Sequence, residues 1–115
     1  MVNPDTVFKK ALREVNNFLA TEKKQGNTDW LGNLHLVFVA FSFFPRERKV
    51  TFSLAKYGNI QVFLARKNQL VNIAKGKTLE SALVGKLFVQ DKLIAVTHDL
   101  SSFLESRDLL RDLAF

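Results

Sequence analysis

The stretch LHLVFVAFSFFPRERKVTFSLAKYGNIQVFLAR, residues 34–66, decides the fold of this chain. Apolar and polar side chains alternate in residues 49–54, and the alternation resumes in residues 60–64 after a Tyr-Gly-Asn turn at residues 57–59. A period of two residues indicates a strand with one buried face, and a turn of this kind between two such runs is typical of a hairpin. The stretch therefore predicts consecutive antiparallel strands.

The first strand of this stretch, residues 34–44, is apolar on both faces, unlike the two strands that follow. A strand of this kind is expected to be covered on both faces. Two explanations remain open. The second face is covered by a short middle helix, by the linker around Trp30 or by a curled sheet. Alternatively, it is the contact surface for a second copy or another protein, with Phe41 and Phe43 as candidate anchors.

Helices are predicted before and after the strands in the sequence. Asn3 and Pro4 suit the start of a helix, and apolar residues recur every three or four positions through residues 4–24. A similar apolar stripe predicts one helix that runs to the C-terminus, capped by Asp99 or by a capping box of Ser102 and Glu105.

The region between residues 70 and 97 predicts shorter elements. Residues 70–74 suggest a weaker fourth strand, residues 78–84 a short helix capped by Thr78 and ended by Gly85, and residues 86–90 and 93–97 a second hairpin.

The predicted architecture is a single α+β domain over residues 1–115. Its antiparallel meander sheet has five to six strands and is flanked by N- and C-terminal helices. The predicted order is a helix, three or four strands, a short helix, two strands and a helix. This order resembles that of several protein-binding domains, including profilin-like modules and the small chaperones of bacterial secretion systems. The resemblance is one of topology and involves no motif residue.

Positive charge is the unusual bulk property of the sequence. The net charge is +6, and residues 1–98 hold fifteen basic and seven acidic residues, whereas residues 99–115 hold two basic and four acidic ones. A basic body attracts nucleic acid, although the same charge also serves solubility and keeps strand edges from aggregating. Tyr57 and Phe63 are candidate rings for base stacking. The candidate phosphate contacts are Arg46, Arg48, Lys49, Lys56, Arg66 and Lys67.

Catalytic and metal-binding patterns are missing from the sequence. The chain has no cysteine, and its two histidines, His35 and His98, lack metal-binding spacing. Ser101 and Ser102 follow His98 without a nucleophile elbow, and the five glycines form no phosphate loop. The sequence therefore predicts a protein that is not an enzyme and uses no cofactor or metal.

Location and partners are predicted from the same sequence. No apolar run approaches the roughly 20 residues of a membrane helix, and the first residues do not resemble a signal peptide. We therefore expect an intracellular, cytoplasmic protein in a reducing compartment, without membrane contact.

Two function classes remain ahead of an enzyme. The first hypothesis is a small basic homodimer that binds nucleic acid or another polyanion. The alternative is a protein-binding adaptor, chaperone or inhibitor that uses the apolar sheet face. An enzyme ranks third because it needs a cleft that joins His98 and Asp99 to a serine, or His35 to a carboxylate, and no spacing predicts one.

Overall fold

The computed structural model describes residues 4–74 and 82–115. In these ranges a long helix precedes six strands, and two short helices follow them. In chain order the elements are α1 (Pro4–Lys24), β1 (Leu36–Phe44), β2 (Lys49–Tyr57), β3 (Ile60–Arg66), β4 (Gln69–Asn72), β5 (Leu83–Leu87), β6 (Lys92–Thr97), α2 (His98–Ser106) and α3 (Leu109–Ala114). Every strand pair in these ranges is antiparallel. The predicted α+β class with helices at both ends of the fold is confirmed.

The strands form two small sheets where the sequence predicts one meander. Sheet A has the order β1-β2-β5, and sheet B has the order β4-β3-β6. The division occurs at Gly58 and Asn59, which form a corner and not a hairpin. The Asn59 N–H donates to His35 Nδ1 at 2.9 Å, and the Asn59 carbonyl accepts from the His98 N–H at 2.9 Å. Since these backbone groups bind partners outside β2 and β3, the two strands do not continue as one ladder.

Gly58 is required at this corner for two reasons. Its φ angle of +85° lies in the left-handed region that favours glycine. A Cβ atom at this position would also overlap the Leu34 carbonyl and the His35 ring. The residue that predicts a hairpin from sequence therefore allows the chain to leave sheet A and enter sheet B.

The predicted middle helix and second hairpin are wrong where the structure describes them. Leu83 and Val84 belong to β5, which pairs with β2, while residues 78–81 lie outside the described residues. β5 and β6 follow each other in sequence but lie in different sheets, because β6 pairs with β3. Gly85 allows β5 to approach β2 closely, since a Cβ atom there would lie 2.7 Å from the Phe52 ring.

The C-terminal helix is divided, in contrast to the single helix predicted. Asp108 has a φ angle of 55°, a left-handed conformation that interrupts a helix, and it separates α2 from α3. The N-cap of α2 is Thr97, whose Oγ1 accepts the Leu100 N–H at 3.3 Å. The predicted caps Asp99 and Ser102 lie inside the helix instead.

Three apolar clusters connect these elements. Helix α1 packs on the outer face of sheet A, where Phe8 stacks on Phe38 with ring centroids 4.9 Å apart. The inner faces of the two sheets share a cluster around Phe52 and Val62. The opposite face of sheet B packs on the C-terminal helices through Phe63, Val96 and Leu110.

The molecule is flat, with extents of 47 × 45 × 15 Å and a radius of gyration of 16.0 Å. A compact chain of this length has a radius of gyration of about 13 Å. The accessible surface is 8320 Å², whereas about 6,400 Å² is usual for a monomer of this mass. Several large apolar side chains contribute to this surface, among them Phe18, Phe88 and Val89, which are 61%, 61% and 93% exposed. No helix in residues 4–74 and 82–115 is long and apolar enough to span a membrane.

Candidate nucleic-acid interface

Three segments that are distant in sequence meet at one end of the molecule. Val50 at the start of β2 pairs with Leu87 at the end of β5, so the β1–β2 turn lies beside the β5–β6 connection. The Arg66 guanidinium at the end of β3 donates a 2.9 Å hydrogen bond to the Lys86 carbonyl, which brings the β3–β4 turn to the same place. We call the segments 44–49, 66–67 and 86–92 together the basic end.

The basic end collects most of the cations that the sequence singles out. Its acidic residues are Glu47 and Asp91 alone. Lys86 and Lys92 are not among the predicted phosphate contacts, because the sequence predicts a hairpin of residues 86–90 and 93–97 in this region. Its seven basic residues are Arg46, Arg48, Lys49, Arg66, Lys67, Lys86 and Lys92.

Arg66 and Asp91 hold the basic end together. The Arg66 guanidinium donates to Asp91 Oδ2 from Nε at 3.0 Å and from Nη2 at 2.7 Å, and the Phe88 N–H donates to the same oxygen at 2.7 Å. The Asp91 side chain is only 3% exposed. The hydrogen bonds from Arg66, helped by that from Phe88, hold the pKa of Asp91 below its usual range despite its burial. The guanidinium of Arg66, which is predicted as a phosphate contact, therefore links the β3–β4 turn to the β5–β6 connection.

We expect Asp91→Asn to lower the melting temperature at pH 7 by about 4 °C or more, because it weakens three converging hydrogen bonds. A carboxylate whose pKa is depressed by folding stabilises the fold fully above its unfolded pKa of about 3.9, and this contribution is lost as the pH falls through the lower folded value. The difference in melting temperature between the wild type and the variant should therefore be smaller below pH 4 than at pH 7. A gap of equal size at both pH values would contradict this role, and Glu47→Gln, at an exposed acid of the same end, is the control.

Exposed rings accompany the cations. Phe88 is 61% exposed, and the Arg66 guanidinium lies over its ring at 4.6 Å from the centroid. Phe44 is partly exposed, and the Lys49 ammonium lies 5.6 Å from its ring centroid. A cleft of about 370 Å³ opens between the β3–β4 turn and the β5–β6 connection. Cationic and aromatic groups therefore share one surface.

Three of the predicted binding residues lie outside the basic end. Lys56 is buried, and its ammonium donates to the Ile60 carbonyl, so it is not available to a phosphate. Tyr57 is half-buried beside Trp30 in the cluster under α1, at the opposite end of β2. Phe63 is buried against the C-terminal helices. The sequence shows the alternation along each of these strands. It does not show that other elements of the fold pack on both faces of the strand.

The C-terminal helices and the residue between them place acidic side chains next to the β3–β4 turn. Arg111 donates to the Asn68 carbonyl at 3.2 Å and to its side-chain oxygen at 3.1 Å, while Glu105 and Asp108 line a neighbouring cleft with Arg111. These carboxylates weaken the positive field on that side. The most positive surface therefore faces the β1–β2 turn and β5.

The predicted partner residues lie on an exposed edge. Phe41 is 58% exposed and Phe43 65% exposed, and both are on β1 at the edge of sheet A. Phe52 lies directly opposite Phe41 on β2, on the same face of the sheet, and is 3% exposed. Sheet B therefore covers β2 but leaves this part of β1 open.

The histidines flank the corner between the sheets and contact amides. His35 accepts from the Asn59 backbone, and His98 Nδ1 lies 3.3 Å from the Gln61 side-chain nitrogen. Ser101 is 1% exposed, and its hydroxyl has no hydrogen-bond partner among the described residues. Within residues 4–74 and 82–115, no three histidine or carboxylate side chains are grouped closely enough to hold a metal ion.

The described residues thus present two surfaces with separate chemistry. The basic end combines exposed cations with the exposed Phe88 ring. The edge strand β1 exposes the apolar side chains of Phe41 and Phe43. Comparisons with protein-family models, with curated proteins and with solved structures found no match to this chain.

Proposed function

We propose that this chain is a small non-enzymatic binding protein that acts as a homodimer and binds single-stranded nucleic acid through its basic end. The observation that carries the proposal is the convergence of seven basic residues and two acidic ones from three separate segments. A phosphate backbone requires closely spaced cations, and this convergence supplies them.

The exposed rings favour a single strand over a duplex. Bases of a single strand stack on aromatic side chains while their phosphates contact nearby cations, and this mode needs no sequence motif. Phe88, with Arg66 against one part of its ring, is the candidate stacking residue in place of Tyr57. The phosphate contacts that we propose lie at the turns and strand ends: Arg46, Arg48, Lys49, Lys67, Lys86 and Lys92.

The test is the salt dependence of binding. Fluorescence anisotropy with labelled DNA and RNA strands of about 20 nucleotides, and with the matching duplex, is measured from about 25 to 300 mM salt. With about four phosphates neutralised, the logarithm of the association constant should fall with the logarithm of salt concentration at a slope near −3. Undetectable binding of every probe at the lowest salt would end the proposal, and tighter binding of the duplex would exclude a single-strand preference.

A second candidate function is favoured by the exposure of Phe41 and Phe43. In this reading the chain is an adaptor, chaperone or inhibitor whose apolar edge binds a different protein. The two functions are distinguished by which molecule covers β1 in solution, a second copy of the chain or a different protein. If a second copy covers this edge in solution, the edge is not available to another protein.

The cellular location is also a proposal. A chain without cysteine needs no oxidising compartment for its stability. Nucleic acid is concentrated inside cells, so the proposed function fits a cytoplasmic protein. Separation of cell fractions, followed by detection of the chain, is the direct measurement.

A further inference from the structure

β1 differs from the other edge strands of the two sheets. β5 contains Lys86 and β6 contains Lys92, while β4 is only four residues long. Charges and shortness of this kind prevent edges from pairing with other chains. β1 has nine residues, LVFVAFSFF, with no charge and no proline, and no described strand pairs with its outer edge. An edge this long and apolar is suited to pairing.

We propose that β1 pairs antiparallel with β1 of a second copy, about a two-fold axis at Ala40, so that the two A sheets become one six-stranded sheet. This inference specifies the homodimer of the proposed function and depends on it. In this register residues 36–44 pair with residues 44–36 of the second copy. All nine residues are used, and the ladder forms about eight to ten new backbone hydrogen bonds.

The residues of β1 can pair antiparallel with the same residues of a second copy. A two-fold interface requires each residue to face its symmetry-related position, and opposite residues must lie on the same face of the sheet. With Ala40 at the axis, Val39 faces Phe41 and Val37 faces Phe43 on the inner face. On the outer face, Phe38 meets Ser42 and Leu36 meets Phe44. None of these pairs is charged, so the positive charge of the protein does not oppose the contact locally.

The exposed area supports a second copy as the occupant. Val39, Phe41 and Phe43 are 37%, 58% and 65% exposed. Together they present roughly 300 Å² of side-chain surface per copy. Each partner in a standard interface buries about 800 Å², and the nine-residue backbone edge with its flanking groups adds to the side-chain area.

The absence of cysteine makes the register directly testable, because a single introduced thiol has no other partner in its own chain. In the Ala40→Cys variant the two thiols face each other across the axis, at a Cα separation of about 4.5–5.5 Å that a disulfide can span. In the Ser42→Cys variant, on the same face of the same strand, they lie more than 7 Å apart, beyond disulfide reach. Mild oxidation should therefore convert most of the Ala40→Cys protein, and little of the Ser42→Cys protein, into a covalent dimer.

Light scattering on the wild type accompanies the crosslinking, and a mass of twice 13.1 kDa is expected. A monomeric wild type overturns both the homodimer and this register. A dimeric wild type with no crosslink in Ala40→Cys, or with the stronger crosslink in Ser42→Cys, overturns the register alone and leaves the homodimer intact. Oligonucleotide binding is measured separately, so the failure of nucleic-acid binding is distinguished from either result.

Discussion

Reversing two charges at the basic end, Arg46→Glu together with Lys86→Glu, is expected to weaken single-strand binding by about 100-fold at low salt. Each reversal removes one attractive contact and adds a repulsive one, and a net loss of about 1.4 kcal/mol for each reversal weakens binding tenfold. Arg46 is exposed in the β1–β2 turn, and Lys86 is exposed on β5. Fluorescence anisotropy with the labelled strand measures the change.

The matched control is Arg13→Glu with Lys23→Glu, two exposed cations on α1. It changes the net charge by the same amount, from +6 to +2, and therefore has the same effect on any non-specific attraction. We expect it to weaken binding by less than about tenfold. Similar losses in both double variants would mean that overall charge, and not the basic end, attracts the oligonucleotide. Thermal melts of both variants check that neither has unfolded.

Phe41→Asp with Phe43→Asp is expected to convert the homodimer to a folded monomer. In the proposed strand pairing these side chains face Val39 and Val37 of the second copy, and four carboxylates would be brought into one apolar contact. Placing unpaired charges in such an interface costs several kcal/mol, enough to weaken association by about 1,000-fold or more. Light scattering across a dilution series measures the loss. A double variant that remains dimeric at every concentration would show that β1 is not the interface.

Phe52 provides the comparison that separates loss of the dimer from loss of the fold. It lies opposite Phe41 on the same face of sheet A but is 3% exposed, against 58% for Phe41. Phe52→Ala should lower the free energy of unfolding by about 3–5 kcal/mol because it leaves a cavity between the sheets. Phe41→Ala should change monomer stability by less than about 1 kcal/mol. Urea melts at a concentration where the wild type is monomeric measure both, and equal costs would mean that Phe41 is buried in the monomer.

Part of the candidate site was visible in the sequence. Pro45 follows the predicted strand and ends it, and the charged residues after it predict an exposed turn that contains Arg46, Arg48 and Lys49. That Lys86 and Lys92 join them was not visible, because the sequence does not show that β5 pairs with β2 while β6 pairs with β3. Lys56 and Tyr57 lie at a predicted turn, where side chains are usually exposed, and their burial depends on the corner at Gly58 and on α1.

The sequence by itself determined the secondary structure that local periodicity encodes. Helix α1 and the strands up to β3 begin and end close to their predicted positions, because an apolar pattern of period 3.6 or 2 and its turn residues act within a few positions. Only the tertiary structure decided that the strands divide into two sheets and that β5 is a strand. The backbone groups of Asn59 bind His35 and His98, and Gly85 pairs with Phe52 between β5 and β2. These interactions join residues 24 to 39 positions apart. Such contacts depend on the path of the whole chain, which no local pattern specifies.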